Sequence, residues 1–320
     1  MKKSLVVLLV ALVALTLIVG CKKEPEVPEV KTYTVTFDSN GGTGKPEPQI
    51  HKAGEKVTKP NDPTKSGFDL VCWTKDGVAF DFDTDTVTED MTLVAKWDYK
   101  TYSVGDTGPA GGKIFYIANE VQTSTYLDAE GKEVTYTWKY LEVTTENLSL
   151  TKEDGTSTEE VECFGYYLTP RDEPGYYYSG IVTTENTDGN GTNAEIGQGR
   201  YNTTKLINTM GSSAYKDLWG SNGATDSYVA KLCANYRGGG YSDWFLPSLK
   251  ELKEIYDHKD QIGGTWHTVD ASSTGGYIEA YWSSSEVGTE NAWTLKFSDG
   301  TNWSAGRVSE HKYLRAIRAF

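Results

Sequence analysis

Residues 236–256 read YRGGGYSDWFLPSLKELKEIY, and the punctuation of that stretch decides the larger fold. Three consecutive glycines, Gly238, Gly239 and Gly240, stop one helix. A short aromatic run from Tyr241 to Phe245 follows, and Pro247 leads into a second helix. Ser248 and Glu251 have the S-x-x-E spacing of a capping box, in which each side chain satisfies an orphan backbone donor of the first turn. Leu249, Leu252, Ile255 and Tyr256 recur at helical spacing on one face, with Lys250, Lys253 and Glu254 off it. The spacing predicts a buried helical seam behind a glycine turn, with Trp244 and Leu246 entering the core.

On the N-terminal side, Asn202 is the expected cap of a helix running to Met210 and closed by Gly211. A second helix is expected from Asp226, with Val229, Leu232, Cys233 and Tyr236 inward. On the C-terminal side, residues 280–284 (AYWSS), 291–297 (NAWTLKF) and 313–320 (YLRAIRAF) read as strands, and Ser298-Asp299-Gly300 as a hairpin turn before Trp303. Further upstream, residues 113–117 and 139–143 read as short strands. The glycine-rich run before Lys113 lacks the G-x-x-x-x-G-K-[ST] order of a phosphate loop and reads as a tight turn. Residues 149–162 form a polar, acidic excursion expected at the surface. An irregular segment follows, in which Tyr166, Tyr167, Tyr176, Tyr177 and Tyr178 surround Pro170 and Pro174.

Residues 31–98 read as a separate small unit. Tyr33, Val35 and Phe37 alternate with Thr32, Thr34 and Thr36, the pattern of a half-buried strand. Asn40-Gly41-Gly42 and Asp76-Gly77 are turn signals, and strands are expected over 68–73 and 91–97. Asp81, Asp83 and Asp85 read as carboxylates on a strand edge in water more readily than as a calcium loop, because the glycine and terminal glutamate of an EF-hand do not follow.

The N-terminus reads as an address. Lys2 and Lys3 precede an apolar stretch from Leu5 to Val19, broken only by Thr16, which is short for a membrane span of about 20 residues. Ile18-Val19-Gly20-Cys21 resembles a bacterial lipobox, which implies cleavage before Cys21 and lipidation there. Residues 22–30 (KKEPEVPEV) are a charged, proline-containing tether. The expected order is therefore a signal peptide over 1–21, a tether over 22–30, a small module over 31–98 and a larger domain over 102–320. A net charge of −14 argues against nucleic acid as a partner and leaves the membrane reached through Cys21. Location at the outer membrane or cell surface is expected. Export would permit a disulfide between Cys163 and Cys233, or leave both as thiols, while Cys72 reads as a core thiol.

The wording TYTVTFDSNGGT, GEKVTKPNDPTKSGF and DFDTDTVTEDMTLVAKW resembles the Listeria–Bacteroides repeat, the B-repeat of internalin-type surface proteins. That resemblance implies a β-grasp-like module acting as a spacer or adhesion element. YSVGDTGPAGGKIFYI, WKYLEV, CANYRGGGYSDWFLPSLKELKEIY, YWSSSE, NAWTLKFSDG and LRAIRAF together resemble the C-terminal domain of the Legionella collagen-like adhesin. FLPSLKEL also echoes a turn of formylglycine-generating-enzyme-like domains, with Phe245 where arginine is usual, and this implies a C-type-lectin-like α+β fold. The expected fold class is thus multidomain, a small β-rich β-grasp-like module plus a larger α+β domain of C-type-lectin-like kind.

Catalytic patterns do not assemble. Four histidines, His51, His258, His267 and His311, form no H-E-x-x-H site, and no G-x-S-x-G elbow exists. No cofactor, metal or catalytic residue is expected. The reading is a lipid-anchored, non-catalytic surface binding or adhesion module whose partner is a host-matrix protein or a glycan. Tyr166, Tyr167, Tyr176, Tyr177, Tyr178, Trp266 and Trp303 are the candidate contact residues, since aromatics offer contact area at low entropy cost. Two alternatives stand beside it. One is a structural envelope lipoprotein. The other is an envelope enzyme of formylglycine-generating type, which would need a polar pocket with an ionisable pair or a metal at the end of the helix that begins at Ser248.

Overall fold

Alternation of apolar and polar side chains builds the first sheet as the sequence predicts. Strands β1 (Thr32–Asp38), β2 (Gln49–Lys52), β3 (Phe68–Lys75), β4 (Val78–Ala79) and β5 (Met91–Tyr99) lie in the order β2-β1-β5-β3-β4. β2 is antiparallel to β1 and β5 is parallel to it, with Val35 opposite Met91 and Phe37 opposite Leu93. Those four side chains are buried, and the Phe37 and Trp73 rings meet edge to face at 5.3 Å. Asp76 (φ 50°) and Gly77 (φ 81°) both adopt the left-handed conformation that a two-residue hairpin between β3 and β4 requires.

One expectation in this unit is corrected. Asp81 and its neighbours form a turn, not a strand edge. The Asp81 carboxylate accepts the Asp83 backbone N–H at 2.8 Å and the Thr84 hydroxyl at 2.9 Å, which holds its pKa below the ordinary aspartate value. The Asp85 carboxylate accepts the Asp81 N–H. The acidic side chains serve their own backbone.

The computed structural model describes residues 30–151, 157–159, 164, 194–211, 215–216, 222–223, 228–267, 280–287, 291–306 and 312–320. They fall into two units, one ending at Pro63 and resuming over Cys72–Lys96, the other taking Thr64–Val71 and Trp97–Phe320.

In the larger unit, β6 (Lys113–Leu127) and β7 (Glu133–Val143) form a hairpin much longer than the two short strands expected. Its distal half is exposed at 119–123, where the register shifts between Ile117 and Gln122, while on β7 Val134, Tyr136 and Trp138 alternate with Thr135 and Thr137. That alternation marks residues 134–138 as strand, a signal that the expected start at Lys139 passes over. Two short strands, β8 (Leu150–Thr151) and β9 (Ser157–Thr158), pair within the expected surface loop. Helix α1 (Gly199–Met210) starts before Asn202, which is buried inside it and donates its amide to Ser284 Oγ at 3.2 Å rather than capping the helix. Gly211, at φ 61°, closes it as expected. Backbone pairing joins β10 (Tyr215–Lys216) to β11 (Asn222–Gly223), and α2 (Val229–Asn235) follows.

The remaining elements are α3 (Leu249–Asp257), α4 (Lys259–Ile262), β12 (Ala280–Val287), β13 (Asn291–Lys296), β14 (Asn302–Gly306) and β15 (Ile317–Ala319). They complete two three-stranded sheets, β12-β13-β14 and β15-β7-β6. The terminal strand is shorter than expected, because Tyr313 bridges to Tyr281 before β15 begins.

The stretch at 236–256 sits between the two sheets. Gly238–Gly240 makes a 3-10 turn, with Gly239 at φ 63° and Gly240 at φ 81°. A Cβ on Gly239 would lie 2.5 Å from the Ala110 carbonyl oxygen, so only glycine fits. Phe245 then exchanges both backbone hydrogen bonds with Ile317, at 2.8 and 2.9 Å. An extended segment turns alternate side chains to opposite sides. Trp244 and Leu246 accordingly join the core of α1 and α2, and Phe245 joins the core of β7, α3 and β15. The capping box is present: Ser248 Oγ accepts the Glu251 N–H, and Glu251 Oε2 accepts the Ser248 N–H at 2.7 Å.

Candidate functional site

Within the larger unit, a cleft of about 450 Å³ is lined by Glu146, Asn147, Thr158, Glu159, Thr265, His267 and Tyr313. These side chains come from four places in the chain: the segment leaving β7, the end of β9, the segment after α4, and the residues before β15. Arg315 holds them together. Its guanidinium donates to the carbonyls of Thr144 (2.8 Å), Thr145 (2.6 Å) and Thr265 (2.5 Å), and its Nε to Asn147 Oδ1 at 2.9 Å. The Trp266 ring covers the guanidinium at 3.8 Å. Gly264, at φ 88°, permits the approach, since a Cβ there would lie 2.8 Å from the Thr145 carbonyl oxygen.

Arg315 is 1% exposed. Burial pushes its pKa down from the ordinary guanidinium value, and Tyr281, Glu146 and Glu159 oppose that shift. A chain of polar contacts runs outward from it. Asn147 passes its amide hydrogen to Glu159 Oε2 at 2.9 Å, and Glu159 lies 3.5 Å from His267 Nε2. The His267 ring stacks flat on Tyr313, with centroids 3.7 Å apart. The Tyr281 hydroxyl accepts the His267 backbone N–H at 3.2 Å, and burial raises the Tyr281 pKa. The arrangement offers a rigid, half-open polar surface of carboxylates, hydroxyls and one imidazole. Among the described residues, no group of three or more His, Cys, Asp or Glu is placed to hold a metal ion.

The structure distributes the residues singled out in the sequence. Trp266 is half-buried: besides covering Arg315 it stacks on Phe297 at 4.7 Å and donates to the Gly263 carbonyl. Trp303 is 48% exposed on β14, with Lys296 over its ring. Cys233 is a fully buried free thiol whose pKa burial raises well above the usual value, while Cys72, expected in the core, is instead a half-buried free thiol. Cys21, Cys163, Tyr166, Tyr167, Tyr176, Tyr177 and Tyr178 lie outside the described residues. Among the described residues the basic side chains near the C-terminus make no surface patch, because Lys312, Arg315 and Arg318 are all buried, and Arg307 lies outside the described residues.

Of the cleft residues, sequence reasoning named His267 only as one of four scattered histidines. The signal available was Arg315 itself: an arginine between Leu314 and Ala316 in an apolar run is a charge bound for the interior, where it must find acceptors. Which acceptors it finds depends on segments more than 150 residues away, as the Asn147 bond illustrates.

Residues 33–96 match the family model of the Listeria-Bacteroides repeat domain, and residues 201–318 match that of the Lcl C-terminal domain. The chain is also similar to two proteins of Evansella cellulosilytica. One, whose name describes a Gly-rich membrane protein, is 39% identical over 95 residues, which cover 29% of this chain and 11% of that protein. The other, whose name describes a membrane protein, is 42% identical over 79 residues, covering 24% and 12%. The chain spans about a tenth of the length of the curated relatives it matches.

Proposed function

We propose, from the presence of a Listeria-Bacteroides repeat domain and an Lcl C-terminal domain in one chain, that the protein is a lipid-anchored cell-envelope protein whose larger domain binds an extracellular ligand without catalysing a reaction. The observation that carries the binding reading is the cleft at His267 and Tyr313, whose walls Arg315 fixes from beneath. A site held in place before its ligand arrives loses less entropy on binding. The two relatives named as membrane proteins support the envelope location. The repeat acts as the spacer between anchor and binding domain. Its strand order, with β1 parallel to β5, supports the β-grasp-like reading. The closing of β15 onto the β6–β7 hairpin supports the C-type-lectin-like reading of the larger domain.

The test is binding of the purified full-length chain to arrays of host-matrix proteins and glycans, beside His267→Ala and Arg315→Met variants. Binding that both variants lose supports the proposal. Binding indifferent to both would place the ligand elsewhere.

A second reading is favoured by one contact. The Glu159–His267 pair, 3.5 Å apart in a polar cleft fed by the segment after α3 and α4, is an ionisable pair of the kind the envelope-enzyme alternative needs. Mass spectrometry of cysteine-containing peptides after incubation with the protein separates the two. A formylglycine mass change that Glu159→Gln abolishes would favour the enzyme.

A further inference from the structure

We propose that the cleft recognises a primary ammonium group, which deepens the binding reading above and rests on it. Donors and acceptors around the cleft are unequally committed. The strongest donor beside it, Arg315, has spent its guanidinium on three backbone carbonyls and Asn147. Asn147 has in turn given an amide hydrogen to Glu159. The acceptors are freer. Glu146 is exposed and makes no hydrogen bond or ion pair with the described residues, and Glu159 faces the cleft with its carboxylate 49% exposed. Thr265 adds a hydroxyl oxygen to the same walls. Two carboxylates outweigh the single buried guanidinium beneath them, so the local field is negative, as is the whole chain at −14.

A ligand entering such a site gains most by bringing donors and positive charge. An ammonium brings three donors and no acceptor, which suits two solvent-facing carboxylates. A sulfate or carboxylate would meet Glu146 and Glu159 with like charge and few uncommitted donors. Because both carboxylates are solvent-accessible, affinity for a small amine is set at about millimolar. The same chemistry reaches the cleft on a lysine side chain of a protein or on an amino sugar.

Isothermal titration of the full-length chain in detergent micelles with four compounds tests this. Nα-acetyl-lysine methylamide and glucosamine are the two amine arms, and N-acetylglucosamine and glucuronic acid are the neutral and anionic comparisons. At least one amine is expected to bind, at least about tenfold tighter than either comparison compound, and to weaken about tenfold in Glu159→Gln. The substituted amide keeps an oxygen to accept from Asn147, so folding is preserved, and circular dichroism checks it. Val121→Ala, an exposed side chain on β6 away from the cleft lining, leaves the affinity unchanged. The stronger amine arm identifies the source. Equal or tighter binding of the neutral or acidic sugar, lost in His267→Ala, overturns the ammonium and keeps the cleft as a ligand site. Failure of both amines at millimolar concentration also overturns the ammonium. Amine binding that neither Glu159→Gln nor His267→Ala alters overturns both the ammonium and the cleft.

Discussion

A glycine-rich run ahead of a strand invites the thought of a bound anion, and the structure supplies one from within the protein. The backbone N–H groups of Ala110 and Gly112 point at the buried carboxylate of Glu142, at 3.2 Å. Gly108 lies so close to the same carboxylate that a Cβ there would collide with it. Arg318, the cross-strand neighbour of Glu142 on β15, adds an ion pair at 3.1 Å and reaches Asp243 at 2.6 Å. Arg318→Ala would leave Glu142 buried without its cation, and destabilisation of about 3 kcal/mol is expected in urea unfolding. A shift of the midpoint as small as that of an exposed lysine variant would contradict this. Glu251 titrates in a useful range. Burial pushes its pKa up to about 7, against the N–H groups of Ser248 and Gly197. The native state therefore keeps a proton that the unfolded chain releases near the ordinary value of 4.5. The contribution is fully present below that pH, declines as pH rises, and is gone above about 7, for a total of roughly 3 kcal/mol. Unfolding free energies measured across that window should fall for the native sequence and stay flatter for Glu251→Gln.

Element by element, the sequence announced what local chemistry controls. The capping box of α3, the Gly211 stop of α1 and the Asp76-Gly77 hairpin follow from side chains acting on their own backbone, so they are legible without the fold. The cap gives a further prediction. Ser248→Ala is expected to cost about 1 kcal/mol as an N-cap loss, and Gly239→Ala about 2 kcal/mol, because its φ of 63° and the Ala110 carbonyl both oppose a Cβ. Thermal unfolding of the two variants ranks them, and the reverse order would contradict the turn geometry. What local chemistry does not control stayed hidden. The distal half of the β6–β7 hairpin has exposed residues at 119–123, and besides its strand pairing it is held by α1, through the Thr204 hydroxyl on the Leu127 N–H and Arg200 over the Tyr126 and Tyr136 rings. Asn202 has the composition of a cap, but its amide is claimed by Ser284 from another element. The cleft is the extreme case, since each wall comes from a different segment, joined by Arg315 beneath and by the Asn147, Glu159, His267 and Tyr313 contacts above it.

At the scale of the whole molecule, the proposed function requires two folded units held at a membrane, and the proposed holder is an acyl anchor. Among the described residues no helix is long and apolar enough to cross a bilayer. The lipobox-like residues Ile18-Val19-Gly20-Cys21 are the proposed source of the anchor. One acyl chain binds membranes only marginally, whereas two or more hold stably, so a cysteine carrying a diacylglyceryl group and an N-acyl chain would resist washing. Nine tether residues at about 3.3 Å each then let the first sheet stand within roughly 30 Å of the surface. The expected outcome is that cells fed radiolabelled palmitate label the native chain, which pellets with membranes after a high-salt wash. Cys21→Ala should lose the label and release the protein to the supernatant or leave its leader uncleaved, a difference that intact mass resolves. High salt matters because it removes electrostatic adsorption, which a chain of net charge −14 is in any case poorly suited to make with anionic lipid. A native chain that pellets without label would overturn the acyl anchor and return residues 5–19 to the role of a membrane segment.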